Sequence, residues 1–204
     1  MFYECNSLID IDLTNFNSQN VINMNDMFHD CDSLKNINLT NFNTQNVIYM
    51  GRMFSGCKSL TKLDLSNFDT RKVLEMNMMF SRCNSLLNIN LSSFNTQKVI
   101  MMSHMFAECY SLLNIDLSSF TNFKTRNLYM GFMFLKCYSL IEINLSNLNV
   151  KKANMTEMLY IEKQCGITQY SVGFMMTMDI FIFKLEKERD YIPQHLDTLK
   201  LENQ

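Results

Sequence analysis

The sequence predicts an α/β solenoid, a stack of coils in which each coil supplies one short strand and one short helix or helical turn. Two observations carry this expectation. A Met-Phe pair recurs at positions 1, 27, 53, 79, 105 and 133, each time with a cysteine four residues and a leucine seven residues after the methionine. Within each unit the apolar spacing then changes from alternation to steps of three and four, the two periods of a strand and a helix.

The repeat is close. Met27-Phe28 with Cys31, Ser33 and Leu34 is matched by Met53-Phe54 with Cys57, Ser59 and Leu60, and by Met79-Phe80 with Cys83, Ser85 and Leu86. The fifth unit has Met105-Phe106 with Cys109 and Leu112. The sixth, Met133-Phe134 with Cys137 and Leu140, is displaced by a two-residue insertion near Thr121 to Phe123. The period is otherwise 26 residues, as the steps 27, 53, 79 and 105 show.

The strand of each unit comes first. Leu34, Ile37, Leu39 and Phe42 follow a Leu-x-x-Leu-x-Leu spacing, whose alternating part places one face inward. Asn41-Phe42-Asn43-Thr44-Gln45-Asn46 is turn chemistry, because Asn and Thr side chains satisfy nearby backbone groups. Val47, Met50, Phe54 and Cys57 then recur at three- and four-residue steps, as a short helix or helical turn with its apolar side on the strand does. One such unit buries too few side chains to offset its conformational entropy, so the units are expected to stack and borrow stability from their neighbours.

Composition narrows the function. The 204 residues carry 18 basic and 20 acidic side chains, a net charge of -2, which offers no field to draw in nucleic acid or an anionic membrane. Five glycines and one proline are scarce for a β-sandwich rich in tight turns. No apolar run reaches the roughly 20 residues of a membrane span; Phe174 to Leu185 is shorter and holds Asp179 and Lys184.

The run Met53-Phe54-x-x-Cys57-x-Ser59-Leu60-x-x-Leu63-Asp64-Leu65-Ser66-Asn67-Phe68-Asp69-Thr70-x-x-Val73-x-x-Met76 resembles the repeat of the BspA-like leucine-rich repeat surface proteins, found also in mycoplasma lipoproteins and in protists. The resemblance covers residues 1 to about 158. It implies a right-handed leucine-rich-repeat solenoid on a secreted or surface-anchored protein, with adhesion or protein binding as its role and no catalytic residues.

Two domains are expected: a solenoid of six repeats and a partial seventh over 1–159, and a C-terminal cap or tail over 160–204 in which no clear strand motif follows. The N-terminus shows no basic region followed by an apolar run, so the reading expects an intracellular protein or a start further upstream. Met1 coincides with the internal methionine of the repeat. The first unit is accordingly expected to lack its cap and to leave an apolar edge open to end-to-end association.

Six of the seven cysteines, Cys5, Cys31, Cys57, Cys83, Cys109 and Cys137, share one repeat position and are expected to form a structural ladder of reduced core thiols. No paired Cys-x-x-Cys or Cys/His spacing suggests a metal site. His29, His104 and His195 are scattered, and no Gly-rich phosphate loop is present, so neither catalysis nor a cofactor is expected.

The candidate binding face is the outward side of the strands. One row is Asp12, Asn38, Asp64, Asn90, Asp116 and Asn144, in which acids alternate with amides. Beside it run Thr14, Thr40, Ser66, Ser92, Ser118 and Ser146, and on the other side Asp10, Asn36, Lys62, Asn88, Asn114 and Glu142. Such a face suits hydrogen-bonded recognition of a protein or glycan, and equally suits solvated sheet. The turn positions grow more basic along the chain, from Gln19-Asn20 and Gln45-Asn46 to Arg71-Lys72, Gln97-Lys98, Arg126 and Lys151-Lys152, which reads as a solvated turn or a mildly basic edge. The function expected is a non-catalytic protein-binding or adhesion module of a surface protein. An intracellular scaffold and a structural spacer of a larger surface protein are the alternatives.

Overall fold

The computed structural model describes residues 1–148, apart from 122 and 125–127, together with the backbone of the strand Gln169–Val172. The partial seventh unit at 149–159, and Cys165 and His195, lie outside the described residues. Successive repeats lie on one another in register. Strand β1 (Asp10–Asp12) pairs in parallel with β2 (Asn36–Asn38), so that Asp10 faces Asn36 and Asp12 faces Asn38. Strand β3 (Asn114–Asp116) pairs in the same way with β4 (Glu142–Leu145), and β4 with β5 (Gln169–Val172). The strand β5 therefore continues the sheet within the segment expected to be a cap or tail, with Gln169 facing Glu142.

The strands do not run through every coil. At the strand positions of the third and fourth repeats no ladder forms, although side chains alternate as in a strand: Leu63, Leu65, Ile89 and Leu91 are buried while Lys62, Asp64, Asn88 and Asn90 are exposed. Bonds on either side of the strand position hold these coils instead. The amides of Ser59 and Ser85 donate to the carbonyls of Asp32 and Lys58 at 3.1 Å. The Asn67 amide, the Ser93 hydroxyl and the Ser119 hydroxyl reach the carbonyls of Leu39, Leu65 and Leu91 at 2.9, 3.1 and 2.9 Å.

The segment read as a short helix or helical turn is a chain of tight turns, and no helix occurs among the described residues. Met27 and Cys31 donate to the carbonyls of Met24 and Phe28, closing i→i+3 turns whose third residues, Asp26 and Asp30, have φ of 56° and 54°. A positive φ at that position is the signature of a type II turn, where glycine or asparagine is the usual occupant. Here Asp, Arg, Met, His, Phe, Glu and Lys take it in successive coils. The cost, about 1–2 kcal/mol per residue, is offset by bonds between coils. The N–H groups of Met24, Asp26, Phe28 and Asp30 donate to the carbonyls of Tyr49, Gly51, Met53 and Ser55 at 2.8–3.0 Å, and the same four bonds recur from the second repeat through the fifth.

The core is a set of one-residue columns. Phe2, Phe28, Phe54, Phe80, Phe106 and Phe134 stack with ring centroids 5.5–5.9 Å apart and planes within 13°. Such pairs contribute about 0.5–1.5 kcal/mol each beyond their buried area. Val47, Met50, Phe54 and Cys57, the inward positions of one unit, are all fully buried. A second, polar column runs beside them. Thr44 and Thr70 are buried, and each hydroxyl both accepts from and donates to the backbone of the next coil: Thr44 with Asp69 (2.7 and 3.1 Å) and Thr70 with Asn95 (2.7 and 3.0 Å). These threonines serve the neighbouring coil rather than their own turn. The column ends at Thr96, whose buried hydroxyl has no partner among the described residues and which lies one coil before the insertion.

Candidate functional site

The outward rows of the strand positions lie side by side on successive coils. In the Asp/Asn row each side chain folds back on its own backbone. Oδ1 of Asp12, Asn38, Asp64, Asn90, Asp116 and Asn144 accepts the N–H of Thr14, Thr40, Ser66, Ser92, Ser118 and Ser146 at 2.8–3.1 Å. This is an Asx turn, open to both residue types because both carry an Oδ1 acceptor. The row thus has a structural task, turning the chain at the end of each strand position, and its Oδ1 atoms are occupied by it. The backbone N–H of Thr14 and of Ser66 holds the Asp12 and Asp64 carboxyls below the usual carboxylate range.

The flanking row is looser. The Asn36 amide donates to Asp10 at 2.7 Å, and Asp10, Lys62, Asn88, Asn114 and Glu142 are exposed. The spacing rule counted three outward rows but missed a fourth, the residue after each motif leucine: Ile9, Leu87, Leu113 and Ile141 are 52, 46, 36 and 42% exposed, with Lys35 and Thr61 between them. The face is therefore polar at its centre with an apolar border along coils 4 to 6. A position that follows one inward residue and makes, with the next, two successive outward ones breaks simple alternation, which is why pattern alone passed over it.

The cysteine column lies inside. Cys31, Cys57, Cys83, Cys109 and Cys137 are fully buried, and each thiol donates to the carbonyl of the phenylalanine one coil earlier, from Cys31 to Phe2 at 3.0 Å through Cys137 to Phe106 at 3.0 Å. Burial pushes the Cys31 thiol up to about 11 and the Cys109 thiol to about 12, and raises Cys57 and Cys83 as well. Such thiols are poor nucleophiles and poor metal ligands. Cys5, in the first coil, is partly exposed.

The two described histidines do not converge. His29 Nδ1 lies 3.0 Å from the Ser55 carbonyl and its Nε2 3.5 Å from Asp30, whereas His104 stacks on Phe132 at 5.1 Å. No group of three metal-ligating side chains occurs among the described residues. Around Asp30 the charges pair along the stack: Arg52 with Asp26 at 2.8 Å, Lys58 with Asp32 at 2.7 Å, and Arg82 with Asp30 at 3.5 Å across an intervening coil.

The family described as Mycoplasma protein of unknown function, DUF285, matches residues 1–120 and 60–170. The chain belongs to this family. Both matches cover the repeats, so membership of DUF285 rests largely on residues that build the coils. No curated protein and no solved structure matches the chain. No helix among its described residues is long and apolar enough to cross a membrane.

Proposed function

We propose that this DUF285 chain is a non-catalytic binding module whose coils form a right-handed leucine-rich-repeat solenoid of the BspA-like kind, displayed by a surface or secreted protein for adhesion to a protein or glycan ligand. The observation that carries the reading is the broad exposed face of the strand positions, whose Asp and Asn side chains are held by their own backbone at 2.8–3.1 Å. A face fixed in this way loses little side-chain entropy on binding. The polar rows supply hydrogen-bonding groups and the apolar border supplies surface to desolvate, both of which protein-recognition surfaces use.

The test is adhesion of the purified chain to immobilised extracellular-matrix proteins and to cells, compared with a variant carrying Ser66→Arg, Asn88→Arg and Ser92→Arg. The reading requires adhesion by the native chain and its loss in the variant, with the thermal melt unchanged. Absence of adhesion, or equal adhesion of the two proteins, overturns it.

A further inference from the structure

A second surface, on the turn side of the coils, has the opposite electrostatic character. Gln45, Asp69, Arg71, Lys72 and Lys98 line a depression of about 370 Å³ spanning the second, third and fourth repeats. Three cations and one anion give it a local charge of +2, within a chain whose net charge is -2.

Two of the cations are held in place. Arg71 is clamped by Asp69, with Nη2 at 2.6 Å from Oδ2 and Nε at 2.9 and 3.1 Å from the two oxygens. Asp69 is itself fixed, because its N–H and its carbonyl both engage the buried Thr44 hydroxyl. Lys72 Nζ donates to Asn46 Oδ1 at 2.7 Å. Exposed Arg and Lys side chains ordinarily lose much rotamer freedom when they bind; here part of that cost is met before a ligand arrives. Arg71 remains 74% exposed, and its Nη1 makes no bond among the described residues. The equivalent turns of the first two repeats carry Gln19-Asn20 and Gln45-Asn46, so the cations enter with the third repeat.

We propose that this depression is a binding site for an acidic polysaccharide, whose sulfate or carboxylate groups meet Arg71, Lys72 and Lys98 while its hydroxyls meet Gln45. The lining contains no aromatic or aliphatic residue. Bases therefore find no stacking platform, and neither peptide apolar side chains nor acyl chains find a seat. What the site offers is charge and hydrogen bonding repeated at one coil's spacing, which suits a linear chain of charged sugars. The site is separate from the strand face and stands or falls without it.

The experiment uses the full chain and three probes at 0.15 M salt: heparin, neutral dextran and a short DNA duplex. Heparin is expected to bind, weakening as salt rises, and dextran not to bind. The variant Arg71→Gln/Lys72→Gln/Lys98→Gln is expected to lose at least tenfold in heparin affinity with an unchanged melt, while the charge-matched variant Arg52→Gln/Lys58→Gln/Lys136→Gln, which removes three cations outside the depression, binds as the native chain does. Heparin binding that survives the triple substitution overturns the proposal. So does an equal loss in the charge-matched variant, or DNA binding as tight as heparin binding, which would mark general attraction to polyanions.

Discussion

The carboxylate of Asp30 occupies the space in which a side chain at Gly56 would begin. A Cβ built on Gly56 would sit well inside contact distance of Asp30 Oδ1, 3.0 Å from Asp30 Cγ and 3.1 Å from its Cα. Gly56 also has φ of +77°, in the same turn position that other coils fill with charged residues. The gap it leaves lets Asp30 reach past one coil to Arg82, 3.5 Å away.

Gly56→Ala should therefore cost about 1–2 kcal/mol in backbone strain and about 1–3 kcal/mol in overpacking. Adding Asp30→Ala should recover the second part and leave the first. Urea denaturation of the two variants separates them, and equal stability of the single and double variants would contradict the steric account.

Thr70→Val removes a buried hydroxyl that accepts from and donates to Asn95. The N–H and carbonyl of Asn95 lose a partner, and the expected loss is about 1–3 kcal/mol. At Thr96, whose hydroxyl has no partner among the described residues, the same change should be neutral or slightly stabilising. Paired thermal melts of Thr70→Val and Thr96→Val test the difference.

The Asx turn at Asp64 rests on Oδ1, and the carboxylate charge strengthens it. Asp64→Asn should keep the turn and lower the melt slightly at pH 7, and Asp64→Ala should lower it further. Because the Ser66 N–H holds the Asp64 carboxyl below the ordinary range, its contribution is present above the ordinary carboxylate value. It is lost as pH falls through the depressed one. Carbon-detected titration of Asp64 should show that depressed midpoint, and Ser66→Pro, which removes the donor, should return it toward the ordinary range.

The buried thiols set an alkaline limit. Burial raises Cys31 from 9.0 to about 11, so its contribution to stability is complete below 9.0 and is lost as pH climbs to about 11. Denaturation between pH 8 and 11 should show the decline, and Cys31→Ser should flatten it. At pH 8, a thiol reagent should label Cys5 rapidly and Cys57, Cys83 and Cys109 only on unfolding.

The period, the buried columns and the outward rows were legible in the sequence because each is stated several times over; Phe54 and Cys57 need no context beyond their own recurrence. The turns were not. Positive φ at Arg52 or Met78 has no local signal, since those residues do not favour it and hydrogen bonds they donate to the next coil hold it. The Asp-x-Ser and Asn-x-Ser turns were in plain view but read as a binding row or as solvated sheet, because a side chain bonded to its own backbone looks from sequence like one offered to solvent. The strand β5 escaped for another reason. Ile167, Tyr170 and Val172 replace the usual Leu, Ile and Leu, and Cys165 falls 28 residues after Cys137 where the strand pairing keeps a spacing of 27, so the motif was out of step with its own coil.

The bonds between turns also give the stack an electrical direction. Peptide units follow one another head to tail from coil to coil, as in the run from the Met24 N–H to Tyr49, Met50 to Glu75, Met76 to Met101 and Met102 to Tyr129, and every N–H in the four columns points toward the C-terminal coils. Dipoles of about 3.5 D per peptide add in such a line as they do along a helix, and each bond polarises the next. A protein with no helix among its described residues thus carries four helix-like dipole columns, positive toward its later repeats and opposed in part by the N–H groups of Ile48, Leu74 and Ile100, which donate back to Ile22, Ile48 and Leu74.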